Sequence, residues 1–423
     1  MNTEKKPVPL LRFPASQQNE EWENVKLGNC LLQIPDYGLN APAVPYSESL
    51  PTYLRITDIT DNGKFDKSHL ASVNAELTSE NSLQEGDIVV ARTGASVGKV
   101  YKYRKEDGLL IFAGFLIRLR PNPNKCNSEY LFQYMLSPSY KKWVNITSTR
   151  SGQPGINSTE YSSLPVPFPQ KLSEQQKIAE CLSSIDSYNS SINEKVEQLK
   201  THKKSLMQKL FTQKGQTVPE YRFPGFKGSK GWEEKRLGDI FKRITNKNIT
   251  NNQNVLTISA QYGLVSQYDY FHKSVAASNL SNYYLLKKGD FAYNKSRSQG
   301  YPYGAIKPLR LYDEGVVSAL YICFRIKCCD FVDTFFEYYF ETELINEEIG
   351  KIAQEGARNH GLLNISIDDF FNKVVLFVPS PSEQKTIAEC LSSIDRTIRL
   401  YSEKASLLEQ QKKGLMQQLF PQE

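Results

Sequence analysis

The sequence predicts an internally duplicated α+β fold: two α/β domains separated by two long helices that pack on each other as a coiled coil. Three observations carry this. Ser173–Asp186 and Ser382–Asp395 share twelve of fourteen residues, and the match runs without a gap to Phe211 and Phe420, giving 22 identities over 39 positions at an offset of 209. A second set of matches, at an offset of 210, pairs Arg12-Phe13-Pro14 with Arg222-Phe223-Pro224, Trp22 with Trp232 and Leu27-Gly28 with Leu237-Gly238. Within each repeated block, apolar residues recur at alternating steps of four and three. A repeat fixes architecture before any local assignment is made.

The blocks are expected to be helices. Pro165, Pro167 and Pro169 end any helix before the first block, and Ser173 with Gln176 makes a capping-box pattern. Before the second block, Pro379 and Pro381 precede a weaker cap at Ser382, with Lys385 in place of the box partner. The first apolar series reads Ile178, Leu182, Ile185, Ile192, Val196, Leu199, Leu206 and Leu210. The second reads Ile387, Leu391, Ile394, Ile398, Tyr401, Ala405, Leu408, Leu415 and Leu419, and the gaps fall at Asn189, Lys203 and Lys412. That is a coiled-coil seam. It is longer than most globular helices need, and each helix has a near-copy of itself as partner. The expected pairing residues are therefore Ile178, Leu182, Ile185, Leu199, Leu206 and Leu210 with their identical counterparts Ile387, Leu391, Ile394, Leu408, Leu415 and Leu419.

The stretches between the blocks differ in sequence but share a plan. In the first, Leu83-Gln84-Glu85-Gly86-Asp87 turns into a strand at Ile88–Ala91, and a second strand runs from Leu109 through Leu119. In the second, Leu286-Lys287-Lys288-Gly289-Asp290 turns into Phe291-Ala292-Tyr293, and Val316–Ile326 copies the second strand. A helical stretch follows in each, Ser128–Val144 and Val332–Ala353. The expected division is 1–170 and 215–378 for the domains, with 171–214 and 379–423 as the helices.

Composition excludes several classes. Of 423 residues, 39% are hydrophobic and 23% charged, which suits a folded chain and not a disordered one. No apolar run reaches the length of a membrane span, and the N-terminus lacks a signal-peptide core, so the cytoplasm is the expected compartment. Seven cysteines show no CxxC spacing and four histidines are scattered, so buried free thiols are expected and no metal site. Gly94-Ala95-Ser96-Val97-Gly98-Lys99 has three residues between its glycines and Val100 after the lysine, whereas a phosphate loop needs four and a Ser or Thr. No hydrolase, zinc-protease or dinucleotide motif is present, nor the Asn/Asp-Pro-Pro-aromatic tetrapeptide of amino-methyltransferases. No catalytic residue is expected.

The net charge of +6 decides nothing by itself, but its local distribution is informative. In the first domain Arg92, Thr93 and Ser96 lead to Lys99, Lys102, Arg104 and Lys105, with no acid from 92 to 105. In the second, Asn294, Lys295, Arg297, Ser298, Gln299, Tyr301 and Tyr303 lead to Lys307 and Arg310, and Arg92 and Arg297 are expected to hold the same place in each copy, just after the Gly-Asp turn and strand. A further polar loop follows each helical stretch: Arg150 and Gln153 in one, Arg358, Asn359 and His360 in the other. Lysine and arginine neutralise phosphates, while Arg, Asn, Gln and Ser can read base edges. Any one such loop could be plain solvated surface; four at equivalent places in a duplicated scaffold point to double-stranded DNA.

These features resemble the specificity subunit of Type I restriction–modification enzymes. The resemblance rests on the S-E-Q-Q-K-I-A-E-C-L-S-S-I-D and L-M-Q-K-L-F blocks, the R-F-P…W opening and the G-D-I-V-V-A-R-T-G-A-S-V-G-K turn, and it covers essentially the whole chain. It implies two target-recognition domains, each reading half of a split DNA site, and an antiparallel arrangement of the spacer helices. It implies two modification subunits that bind S-adenosylmethionine and methylate adenine, and restriction subunits that use ATP and magnesium. No cofactor would then belong to this chain. The competing readings are a single-chain nuclease or methyltransferase with an unrecognised centre, and a coiled-coil adaptor with no DNA role.

Overall fold

The computed structural model describes residues 8–14, 22–259, 263–271, 279–355 and 361–421. The chain divides into two units, Met1–Glu194 with Ser402–Glu423, and Lys195–Tyr401. Each unit thus holds the start of one long helix and the end of the other.

In the first unit the elements used below are β1 (Trp22–Lys26), β2 (Asp36–Tyr37), β3 (Ile88–Ala91), β4 (Val100–Lys102), β5 (Leu110–Phe112), β6 (Leu116–Leu119), α1 (Ser128–Tyr134), α2 (Pro138–Thr147) and β7 (Pro165–Pro169). The first long helix, α3, runs Leu172–Leu210. The second unit has β8 (Glu233–Arg236), β9 (Phe241–Ile244), β10 (Phe291–Asn294), β11 (Ala305–Pro308), β12 (Glu314–Val317), β13 (Ile322–Ile326), α4 (Asp333–Tyr339), α5 (Glu343–Ile352) and β14 (Val375–Val378). The other long helix, α6, runs Pro381–Leu419.

The two units share one plan. Each has an antiparallel four-stranded sheet, ordered β2-β6-β3-β4 in the first and β9-β13-β10-β11 in the second. Each also pairs its opening strand with the strand before the long helix, β1 with β7 and β8 with β14. The prolines before the first block are therefore strand residues. Pro165, Pro167 and Pro169 alternate, so the missing N–H groups all fall on one side of β7. The expected strand Leu109–Leu119 is two strands, β5 and β6, broken by a turn at Ala113–Phe115, and Val316–Ile326 is likewise broken between β12 and β13. The turn bond Leu116 N to Ala113 O has its counterpart in Tyr321 N to Ser318 O.

The helix starts differ from the expectation. Helix α3 begins at Leu172, which puts Ser173 inside the first turn. Helix α6 begins at Pro381, and Ser380 takes the capping role: its Oγ accepts from Glu383 N at 3.4 Å. Proline at the first helical position loses no intrahelical bond, so Pro381 starts the helix.

The seam holds. In α3 the half-buried or buried positions include 178, 182, 185, 189, 192, 196, 199, 203, 206 and 210; in α6 they include 387, 391, 394, 398, 401, 405, 408, 412, 415 and 419. All twelve expected pairing residues lie on these rows. The sequence gaps lie on them too, because they hold polar clasps. In the first unit Lys412 Nζ donates to both carboxylate oxygens of Asp186 at 2.7 Å, and Asn189 Nδ2 donates to Glu409 at 3.3 Å. In the second unit Lys203 Nζ donates to both oxygens of Asp395 at 2.7 Å. Residue numbers fall on one helix as they rise on the other, so the helix segments run antiparallel.

The R-F-P segments tie each domain to the helices. Arg12 makes a two-pronged pair with Glu174 at 3.0 and 2.7 Å, and Leu11 N donates to Gln418 O. Arg222 does the same with Glu383 at 2.8 and 2.7 Å, and Tyr221 N donates to Lys209 O. Gln175 and Gln384 clamp the loop before the first short helix: Gln175 Oε1 accepts from Asn127 N, and Gln384 Oε1 from Val332 N. The helix ends plug the cores. Phe420 packs on Tyr130 and Tyr134, and Phe211 on Trp232, Phe335 and Tyr339. The repeated residues Glu, Gln and Phe thus join domain to spacer.

Candidate nucleic-acid interface

The Gly-Asp turn that opens the site is built identically in both units. Gly86 and Gly289 have φ of 89° and 90°, which only glycine adopts readily. The aspartate that follows closes the turn: Asp87 accepts from Gln84 N at 2.9 Å, and Asp290 from Lys287 N at 2.8 Å. Each also holds an arginine from the neighbouring strand region, Arg120 and Arg325. The turn delivers β3 or β10 to the candidate loop. A second positive-φ glycine, Gly98 or Gly304, ends that loop. A β-carbon on Gly98 would lie 2.5 Å from Val144, and one on Gly304 2.2 Å from Asn294 O.

Each loop is zipped to the polar loop that follows α2 or α5. In the first unit Gly94 N donates to Pro154 O, Ile156 N to Arg92 O, and Thr93 bridges Gly155. In the second, Arg297 N donates to Gly361 O, Leu363 N to Lys295 O, and Ser296 bridges Leu362. In the first unit the two polar loops are thus bonded to each other, and in the second the loop is bonded to the backbone at Gly361–Leu363. The same ladder corrects the sequence match: Lys295 stands where Arg92 stands, and Arg297 stands where Gly94 stands. The second loop spans nine residues (295–303) against six (92–97), and that difference displaced the alignment.

The expected contact residues fall into two groups. Ser298, Gln299 and Arg297 are exposed at a hairpin tip closed by reciprocal bonds between Ser298 and Tyr301, and Asn294 Oδ1 accepts from Ser296 N at its base. Arg150 and Gln153 are exposed; Arg150 donates to Thr147 O and Thr149 O and pairs with Glu160. Arg92, Thr93, Ser96, Arg104 and Lys295 are half-buried, and the Arg92 guanidinium lies 4.7 Å from the Tyr37 ring centroid. The other group is engaged within the fold. Lys99 pairs with Asp61 at 2.8 Å and Lys102 with Glu129 at 2.6 Å. Lys307 pairs with Glu341 at 2.6 Å, and Tyr301 donates to Glu341 at 2.8 Å. Burial works against the Lys307 ammonium, but the Glu341 carboxylate outweighs it and the net shift is upward. Tyr303 packs its ring against Gly350 of α5 and accepts from Tyr293 through its backbone. Arg358, Asn359 and His360 lie outside the described residues.

Sequence reasoning missed two partners. Tyr37 supports Arg92 and accepts from Ser158 N at 3.2 Å. Burial raises its pKa, but that hydrogen bond and Arg92 bring the net below the ordinary tyrosine value. Nothing local marked Tyr37. Glu160 was legible: Asn157 and Glu160 form a capping box, with bonds of 2.8 and 2.9 Å. Among the described residues no cluster of His, Cys, Asp and Glu could hold a metal ion, and no helix is long and apolar enough to cross a membrane.

Comparison with known proteins identifies the family. The Type I restriction modification DNA specificity domain matches twice, at residues 19–201 and 229–410. A Type I restriction enzyme MjaVIII specificity subunit from Methanocaldococcus jannaschii is 26% identical over 94% of this chain and 91% of its own length. A putative MjaX specificity subunit from the same organism is 32% identical over 52% of each chain. The fold resembles the crystal structure of a Type I restriction–modification S subunit from M. genitalium, with a TM-score of 0.60 at 15% identity, covering 98% of this chain and 100% of that one. The chain belongs to the Type I restriction–modification DNA specificity family, with one copy of the specificity domain in each half.

Proposed function

We propose that this chain selects the DNA site for a multisubunit Type I restriction–modification enzyme and performs no chemistry itself. Domain 1–170 would read one half-site and domain 215–378 the other, while helices 171–214 and 379–423 set the gap. The observation that carries this is the duplicated zipper. In each unit a glycine-closed loop is bonded along its start to the segment that follows the second short helix, 154–156 in the first unit and 361–363 in the second, and arginine, lysine and amide side chains stand at the joint. Such pairs of loops suit phosphate positioning and base readout. Double-stranded DNA is the proposed ligand, and its location in the cell supports the cytoplasm as compartment. Two modification subunits would carry S-adenosylmethionine, and restriction subunits would carry ATP and magnesium; this chain would hold no cofactor.

The test has two parts. The chain, alone and with a modification subunit, is titrated with duplex DNA across a salt series, and methylated adenines are mapped in the host genome. Salt-dependent binding to one two-part sequence, with methyl transfer only when the modification subunit is present, is the expected result. Methyl transfer or cleavage by the chain alone would overturn the proposal.

A further inference from the structure

The turn that breaks the second strand places a large apolar residue on the surface at the same point of both units. Phe115 is 58% exposed and Leu320 is 66% exposed. The strand registers make them equivalents. Val90 pairs with Ile117 in the first unit and Tyr293 with Ile322 in the second, so Phe115 and Leu320 each stand two residues before the partner, as Arg92 and Lys295 each stand two residues after the pairing residue. Arg92 N donates to Phe115 O at 3.0 Å.

The position of Phe115 is imposed by its backbone. Leu39 N donates to Phe112 O, Gly114 N to Leu39 O, Gly38 N to Leu116 O and Leu116 N to Ala113 O, at 2.8 to 3.2 Å. A β-carbon on Gly38 would lie 2.2 Å from Phe112 O, so only glycine allows this approach. In the second unit Leu320 N donates to Ser318 Oγ at 3.3 Å inside the same turn. A single exposed apolar side chain is ordinary. Two at one equivalent position, each on a fixed turn beside the candidate DNA loops, call for a ligand with an apolar feature there.

DNA offers few such features. The phosphates are charged and most base-edge atoms are polar, whereas the thymine 5-methyl is an apolar group displayed in the major groove, and phenylalanine is among the side chains that contact it. We infer that Phe115 and Leu320 each read a thymine methyl in their own half-site, beside the polar contacts of Arg92 and Lys295. This rests on the DNA-reading function proposed above. Neither residue carries charge, so the contact would add discrimination with little effect on the salt dependence.

The test uses the chain in complex with its modification subunit and duplexes carrying the mapped site, in which each thymine is replaced in turn by deoxyuridine. Losing one methyl contact should weaken wild-type binding about fourfold at one position in each half-site. Phe115→Ala should bind the thymine duplex at least about fourfold more weakly and lose the thymine preference in one half only. Leu320→Ala should do so in the other half, and Phe115→Leu should keep part of the preference. Circular dichroism melting of each variant checks folding, which an exposed turn residue should leave unchanged. Wild type that binds its site but ignores every uracil substitution overturns this inference alone. So does Phe115→Ala with an intact thymine preference. Wild type with no specific DNA binding overturns the functional reading itself.

Discussion

Arg222→Ala should be the most damaging single change at the junction of domain and helix. The Glu383 carboxylate is 1% exposed and its partner Arg222 is 9% exposed. Arg222 supplies two bonds to that carboxylate and two more to Ser229 O and Lys230 O, and Trp232 Nε1 adds a long one at 3.4 Å. Breaking such a pair from one side costs about 3–5 kcal/mol, because the buried charge remains. Glu383 lies in the first turn of α6, where the helix dipole returns up to about 1–2 kcal/mol. The net loss should be about 1–4 kcal/mol. Arg12→Ala should cost less, because Arg12 and Glu174 are 16% and 5% exposed and water can replace part of the arginine. The double variant Arg222→Met with Glu383→Leu should recover part of the loss, since it removes the charge with its partner. Denaturant unfolding followed by circular dichroism, with limited proteolysis of the 214–222 segment, measures all three. A loss below about 1 kcal/mol for Arg222→Ala, or a double variant worse than the single, would refute the reasoning.

Other expectations follow from the same structure. Exchanging the charges of one clasp, Asp186→Lys with Lys412→Asp, should keep most of the stability that either single change loses, as a double-mutant cycle would show; no coupling would mean the clasp contributes nothing. Seven residues inserted after Leu199 and seven after Ile398 keep both clasps in register and lengthen each helix by roughly 10 Å. The preferred gap between half-sites should then grow by about three base pairs at ~3.4 Å each, and an unchanged gap in a variant that still binds rules out the spacer role. Fragment 1–214 should form a symmetric dimer, because Asp186 of each copy meets Lys203 of the other; a well-folded monomer at micromolar concentration in light scattering would refute the pairing. Burial pushes the Cys323 thiol up to about 12 and raises Cys126 further, while Cys328 and Cys329 are exposed. Iodoacetamide at pH 8 should therefore label the last two first, read by mass spectrometry, and rapid labelling of Cys126 would contradict the packed core.

What was legible divides along the repeat. The helix blocks were readable because near-identity at a fixed offset needs no propensity argument, and the seam followed from its spacing. The sheet was harder. Leu109–Leu119 reads as one apolar run, and only the bonds from Leu39 and Gly38, more than seventy residues earlier, show why Ala113–Phe115 must turn. The polar loops were found by composition, but composition does not reveal which cations the fold has already paired. Lys102 and Lys307 look like Arg104 and Lys295 in sequence; Glu129 on α1 and Glu341 in the turn between α4 and α5 make the difference. The match of Arg92 with Arg297 failed for a related reason: a loop three residues longer keeps its ends in register while its middle shifts.

The direction of the helices was in the sequence as well, in the positions where the apolar pattern stops. Because the blocks are copies, a parallel pairing in register would set every residue opposite its own counterpart. Lys203 would meet Lys412, and Asp186 would meet Asp395, two like-charge contacts inside a seam where water is partly excluded. Running antiparallel, the same four residues make two clasps instead: Asp186 with Lys412, and Lys203 with Asp395. An uninterrupted seam of leucine and isoleucine would discriminate poorly between these arrangements and between registers one heptad apart. Each lysine reaches only the aspartate at one level of the seam, so a one-heptad slip would strand both charges half-buried. The interruptions of the heptad pattern thus fix register and polarity at once, and the duplication makes one Asp and Lys pair do so at both ends of the spacer.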